Sequence, residues 1–103
     1  MNDAKILLKK YPDRIPLIIK AGNNATPIID KVKYLVPKTM KVSEFMVILR
    51  KKSKLTPKQA IFMFVNNVLP PSSSTFSELY HDHCDPDGFL YMMYALENTF
   101  GTI

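Results

Sequence analysis

The densest group of chemically capable side chains is His81-Asp82-His83-Cys84-Asp85. Imidazole and thiolate bind transition metals, and His81 and Cys84, three apart on a helix, could share a face. A tetrahedral site wants four ligands, and the chain has no second His/Cys cluster to complete one. The group reads as the polar end of a helix. Cys84 as a nucleophile would need a His or Asn partner across the fold, and both histidines are local to it. The chain carries no phosphate-binding glycine loop, no GxGxxG and no plausible pair of active-site carboxylates. No metal, no cofactor and no enzymatic activity are expected. Nucleic-acid binding asks for a basic surface with aromatic stacking platforms. Tyr11 and Tyr34 lie near lysines, but Phe62 and Phe64 stand in an apolar run without interleaved Lys or Arg. A core role fits them better, and no nucleic acid is expected as a partner.

Two other stretches have chemistry of a different kind. Asp30-Lys31-Val32-Lys33-Tyr34-Leu35-Val36-Pro37 alternates as a strand does. Val32, Tyr34 and Val36 point one way, and Lys31, Lys33 and Leu35 the other. Pro37 ends the run because it has no N–H to continue a ladder. At a sheet edge such a strand offers unpaired N–H and C=O groups to a partner's backbone. It is either that docking edge or an ordinary edge strand whose lysines discourage aggregation. The chain finishes Phe100-Gly101-Thr102-Ile103, where a lone glycine permits close approach by another protein's active site and is otherwise bland.

The elements that must position these stretches follow from periodicity. With 103 residues, 47% hydrophobic and 22% charged, one domain is expected, spanning residues 1–103. The net charge of +5 is compatible with anionic membranes and acidic peptides. Its basic residues gather at Lys5/Lys9/Lys10/Arg14 and at Arg50/Lys51/Lys52/Lys54. A single cysteine allows no internal disulfide, which fits a reducing compartment. No apolar run approaches the roughly 20 residues of a spanning helix, and no signal-peptide core is present. We expect a cytoplasmic protein whose membrane attachment, if any, is peripheral or covalent.

Residues 1–10 read as a short helical extension, closed by Pro12. Ile15-Pro16-Leu17-Ile18-Ile19 reads as a buried strand, with Pro16 tolerable near its start or at a bulge. A turn at Gly22-Asn23-Asn24 makes a hairpin with the docking strand. Val42, Phe45, Met46 and Leu49 predict a helix over Val42 to Lys52, with Lys41 a poor cap and Ser43 able to shift its start. Ile61 to Val65 suits a strand buried on both faces, turning at Asn66-Asn67. Thr75-Phe76-Ser77-Glu78 is a capping box for a helix whose face carries Phe76, Leu79, Tyr80 and His83. Asp85-Pro86-Asp87-Gly88 is a turn and Phe89 to Tyr94 the last strand. Ala95 to Ile103 has no period, and residues 96–103 are expected to form a flexible tail. The order predicts an α+β fold of β-grasp type, a four-stranded mixed sheet with a crossover helix.

Several motifs then resemble one family in the same order. They are Lys9-Lys10-Tyr11-Pro12-Asp13-Arg14 with Ile15-Pro16, then Lys33-Tyr34-Leu35-Val36-Pro37. Phe64-Val65-Asn66-Asn67 with Pro70-Pro71, Phe89-Leu90-Tyr91 and Phe100-Gly101 follow. Together, over about Leu7 to Gly101, they resemble the autophagy-related ubiquitin-like modifiers, the family of GABARAP and the microtubule-associated light chain.

The resemblance implies a ubiquitin-like fold with a shortened N-terminal helical segment, since ten residues precede Tyr11. It implies that a cysteine protease cuts Gly101–Thr102, and that activating and conjugating enzymes carry the chain as a thioester. Gly101 is then joined to phosphatidylethanolamine on the autophagosome membrane. It implies binding of receptors and adaptors through aromatic-x-x-aliphatic peptides. By motif position the aromatic pocket involves Leu7, Pro16, Ile18, Lys33, Leu35 and Phe89. The aliphatic pocket involves Tyr34, Val36, Pro37, Met40, Phe45 and Ile48. Lys31, Lys33 and Arg14 would meet flanking acidic residues. Two alternatives stay open: conjugation to a protein lysine, as in the sister modifier, which normally ends at its glycine, and an unconjugated basic module for microtubules or nucleic acid.

Overall fold

The computed structural model describes residues 3–21, 33–52 and 59–98. In chain order the elements are α1 (Asp3–Lys10), β1 (Arg14–Ala21), β2 (Lys33–Pro37), α2 (Val42–Lys52), β3 (Gln59–Phe64), α3 (Phe76–His83) and β4 (Leu90–Asn98). The strands form one sheet in the order β2-β1-β4-β3. β1 runs antiparallel to β2 and parallel to β4, and β3 is antiparallel to β4. The sheet is mixed, as expected, and β2 is an edge. The turn expected at residues 22–24 lies outside the described residues.

One sheet face is the core. Ile15, Leu17 and Ile19 of β1, Val36 of β2, Ile61 and Met63 of β3, and Leu90, Met92 and Tyr94 of β4 are all buried. Against them α2 sends Val42, Phe45 and Leu49, and α3 sends Phe76 and Leu79. Phe45 is central to this layer. Its ring stands edge-on to Tyr34 and to Phe76, with centroids 5.4 Å away in each case, a geometry that adds about 0.5–1.5 kcal/mol per pair beyond burial.

Two details bear out the sequence reading and add its physical reason, and two differ from it. Pro16 sits third in a regular central strand, with no bulge. Ile15 and Leu17 turn their peptide groups to β2, so Pro16 turns its nitrogen toward β4, and the β1–β4 pairing starts only at Leu17–Leu90. Extending that register by one residue, the carbonyl an N–H at position 16 would reach belongs to Gly88. Tyr80 Oη donates to it instead, at 2.7 Å. α2 starts at Val42 with no shift to Ser43. Its first N–H groups are met by loop carbonyls, Val42 N–H by Ser74 (2.9 Å) and Ser43 N–H by Ser72 (3.0 Å). No side-chain cap from Lys41 is needed.

β3 is buried on one face only, since Phe62 and Phe64 are half-buried while Ile61 and Met63 are covered. β4 runs to Asn98, so residues 95–98, expected to belong to the tail, are strand. Their backbone is held by β3, from Ala95–Phe62 to Asn98–Gln59, and such a ladder needs no hydrophobic period. Thr75 caps α3 as expected. Its hydroxyl accepts from Glu78 N–H (3.2 Å) and Glu78 Oε1 accepts from Thr75 N–H (3.1 Å).

Gly88 has φ +92° and stands where an added Cβ would come within 2.9 Å of Ala4 Cβ. Ala4 is fully buried, so this contact seats α1. Gly88→Ala should cost about 1–3 kcal/mol, from left-handed strain and displacement of α1. Urea denaturation measures the loss, and an unchanged midpoint would show that α1 moves without cost.

Candidate peptide-docking edge

The orientation of β2 follows from two prolines. In an antiparallel pair, facing residues alternate between those that exchange ladder bonds and those that turn their N–H and C=O outward. Arg14 faces Pro37 and Pro16 faces Leu35. Neither Pro16 nor Pro37 has an N–H, so this class cannot carry the ladder. The other class, Ile15–Val36 and Leu17–Tyr34, carries it. The next pair of that class, Asp13 and Lys38, is bonded, with Lys38 N–H donating to Asp13 O at 3.1 Å. The N–H and C=O of Lys33 and Leu35 therefore face the open edge. Arg14 Nη1 donates to the Leu35 carbonyl at 3.2 Å.

The same register sorts side chains by face. Pro16 with Leu35, and Ile18 with Lys33 and Tyr91, share the face away from the core. Phe89 joins them. It is buried, its ring lies 6.3 Å from Tyr91, and Lys33 Nζ lies 5.7 Å from its centroid. Leu7, half-buried, lies on α1 one turn beyond Ala4. Five of the six residues expected to make the aromatic pocket are thus gathered on one sheet face, with Leu7 on the helix seated beside Gly88.

Most of the aliphatic set belongs to the opposite face. Tyr34 packs on Phe45, and Val36 is buried in the core. Met40 is half-buried against the same core, and Ile48 is half-buried on α2. Pro37 does not join them: paired with Arg14, it shares the face of Leu35. Val36 and Phe45 are 4% and 2% exposed, so they form the floor of this site, while Tyr34, Met40 and Ile48 are its more accessible members. Lys52 Nζ lies 5.7 Å from the Tyr34 ring centroid. Burial, with a smaller contribution from Tyr94, raises the Tyr34 phenol above its ordinary value. Tyr34 is neutral at physiological pH and acts as an apolar wall. Lys31, Gly101 and Thr102 lie outside the described residues.

The sequence reading missed the support beneath Phe89. Asp87 Oδ1 accepts from Phe89 N–H at 2.9 Å, and Asp87 Oδ2 accepts from Tyr91 Oη. Asp87 N–H in turn donates to Asp85 Oδ2 at 3.1 Å, and Gly88 N–H to Asp85 O at 2.8 Å. The signal was an aspartate two residues before an aromatic, the spacing of an Asx turn. Lys20, with Nζ 5.3 Å from the Tyr91 centroid, adds a cation to the same face. The histidine cluster is dispersed. His81 Nδ1 lies 3.1 Å from Asp82 Oδ1, and His83 Nδ1 accepts from Asn66 Nδ2 at 2.9 Å. Cys84 is exposed, and among the described residues no group of three potential ligands is placed to hold a metal ion. None of the described helices is long and apolar enough to cross a membrane.

Residues 1–101 match the family model described as autophagy protein Atg8, ubiquitin-like. The chain belongs to the Atg8 family. It is 50% identical to autophagy-related protein 8a of Arabidopsis thaliana over 100% of this chain and 85% of that protein. It is 49% identical to autophagy-related protein 8 of Mycosarcoma maydis over 98% and 86%. Among solved structures it resembles Trypanosoma brucei ATG8, with a TM-score of 0.84 and 39% identity over 96% of this chain and 86% of that one. It also resembles Plasmodium falciparum Atg8 in complex with a P. falciparum Atg3 peptide, with a TM-score of 0.79 and 38% identity over 90% and 84%. This Atg8-family chain is an autophagy protein of the ubiquitin-like modifier class, with the fold the sequence predicted.

The hydrogen bonds from Tyr91, foremost, and from Phe89 hold the Asp87 carboxyl below its ordinary value, and the Asp87 bond pushes Tyr91 up to about 12. A depressed carboxyl contributes stability above its unfolded pKa, about 3.9, that is lost as pH falls through the folded value. A raised phenol contributes stability below about 10 that is lost as pH rises through the folded value. Asp87→Asn should therefore destabilise this Atg8 between about pH 5 and 9 and progressively less toward pH 2. Urea denaturation across that range measures the difference, and a constant offset at every pH would refute the assignment.

Proposed function

We propose that β2 receives an extended aromatic-x-x-aliphatic peptide as an added strand, and that the chain is cut after Gly101 and joined through it to phosphatidylethanolamine. The observation that carries the peptide half is a match of spacing to geometry. In a strand, residues three apart point to opposite faces. Pro16, Ile18, Leu35 and Phe89 lie on one face of the sheet and Tyr34, Val36 and Phe45 on the other, with the outward N–H and C=O of Lys33 and Leu35 between them. An aromatic anchor enters beside Pro16, Ile18 and Phe89 while the aliphatic anchor, three residues on, enters beside Met40 and Ile48. Lys31, Lys33 and Arg14 favour acidic residues around the anchors. The Plasmodium relative holding an Atg3 peptide supports peptide partners for this fold, and receptors, adaptors and a conjugating enzyme are the partners we carry over.

Two buried anchors contribute about 1.5–3 kcal/mol each. With strand hydrogen bonds they must exceed an association cost of several kcal/mol. The expected affinity is micromolar in scale and falls as salt rises.

The lipid half rests on family membership, the matched region running to Gly101. An ethanolamine lipid brings two acyl chains, and at ~0.8 kcal/mol per buried CH₂ two chains anchor stably where one does not. A processing protease and activating enzyme are required, the chain itself supplying only the terminal carboxylate. Autophagosome membranes are the expected location of the conjugate.

Fluorescence polarisation with an aromatic-x-x-aliphatic peptide tests docking. Leu35→Arg, which puts a charge on the rim of the aromatic pocket, should weaken binding at least about tenfold, and undiminished affinity would refute the pocket. Intact mass of the conjugate from starved cells tests the linkage. A lipid-sized increment lost in Gly101→Ala is expected, and a protein-sized increment would assign a lysine target instead.

A further inference from the structure

A groove of about 400 Å³ opens between α1 and α3, a volume inside the range of small-molecule sites, roughly 300–1,000 Å³. None of the described residues assigned to peptide docking lines it. α1 contributes Leu8, one turn beyond Ala4 on the side that Ala4 seats against Gly88. β1 contributes Ile15, which is buried and makes the floor. α3 contributes Ser77, Tyr80, His81 and Cys84, spaced i, i+3, i+4 and i+7 as one helical stripe. Phe76 and Leu79, off that stripe, enter the core. Lys38 completes the lining. Its backbone is fixed from two sides, Lys38 N–H donating to Asp13 O at 3.1 Å and Ser77 N–H donating to Lys38 O at 3.0 Å. Tyr80 is fixed through its bond to Gly88. The Lys38 ammonium has no carboxylate partner among the described residues.

We propose that this groove binds a medium-chain monocarboxylate. The hydrocarbon lies on Leu8, Ile15 and the Tyr80 ring, and the head is taken by Lys38 Nζ with the Ser77 hydroxyl as a second donor. Two observations set that class. The floor is apolar, so a ligand gains by covering it with hydrocarbon. The rim carries one unpaired cation, which matches one negative charge. A phosphate dianion would keep a second charge without a partner, and Asp82, bonded to His81 on the same helix, would oppose it. A neutral molecule of the same shape would leave the ammonium with water alone. Lysine suits the position because its stem can lie along apolar surface while its head stays at the rim. The walls are held by bonds that exist without the ligand, so binding orders little of the chain. The groove and the β2 edge are separate sites, and either can exist without the other.

Cys84 makes occupancy readable, because it is the chain's single cysteine, is exposed and stands at the groove wall. Octanoate, below its micelle concentration, is titrated into the full chain at about 0.1 M salt, and alkylation of Cys84 by iodoacetamide is followed by intact mass. Saturating octanoate should slow alkylation at least about threefold and move the backbone amide signals of Ser77 and His81. Octanamide, neutral and of the same shape, should need a concentration about twofold to fivefold higher for half the effect. Lys38→Met should raise the octanoate requirement to that of octanamide, and Lys38→Arg, which keeps the charge, should restore most of the difference. Unfolding midpoints equal to wild type confirm that each variant is folded. Unslowed alkylation overturns the proposal, and so do equal potencies of octanoate and octanamide on the wild type. Undiminished octanoate protection in Lys38→Met also overturns it, as do amide shifts confined to residues 33–36, which would place the fatty acid on β2.

Discussion

The site depends on a register that two prolines impose. Pro16 and Pro37 belong to the same class of facing positions along β1 and β2, and a residue without an N–H cannot exchange ladder bonds. That class must look away from the shared ladder, and Leu35 and Lys33 look away with it. A slip of one residue would move Leu35 into the ladder, turn Tyr34 and Val36 off the core, and reverse both faces at once. Burial of Val36 opposite Ile15 enforces the same register from the hydrophobic side. Covalent geometry and core packing thus select one arrangement of the edge.

The remainder of the fold gives that edge two different flanks. On the core side α2 lies across the sheet, and Phe45, fixed by Tyr34 and Phe76, holds the floor beneath Met40 and Ile48. The loop from Pro71 to Ser74 supplies the acceptors that begin α2, so the position of this flank depends on a segment some 30 residues downstream in sequence. On the other side the support is a tight turn. Asp85, Asp87 and Gly88 close it, Tyr80 anchors it from α3, and Phe89 is presented by it. One flank is built by packing and the other by polar backbone contacts, which is why acid is expected to reach the second before the first.

Much of this was readable from residue types. The alternation of Tyr34, Leu35 and Val36, the helical spacing from Val42 to Leu49 and the Thr75–Glu78 box each name an element by its own period. Leu35 among lysines marked the unusual face. What escaped had a partner distant in sequence. Val42 opens α2 as expected, but on acceptors from Ser72 and Ser74; Pro16 is tolerated near the start of β1 because β4 begins to pair only at Leu17; and the length of β4 depends on β3. Residues 95–98 have no period because their order comes from ladder bonds to a neighbour. Ile61 to Val65 misled by composition, since an unbroken apolar run does not say whether its second face is covered. In the candidate site the side chains proposed to receive a peptide were named through resemblance, but Asp87 was not, because its hydrogen bonds go to backbone and phenol groups that a residue pattern does not display.

Pro37 has a consequence for what can follow the edge past its end. Lys33 and Leu35 turn their N–H groups outward, and Pro37, next in that row, has none to offer. A strand laid along β2 from either direction therefore loses its donor there. In antiparallel contact between two such edges Lys33 also sets a charge at one outward position. At this end a missing donor and a charge together blunt the growth of a ribbon.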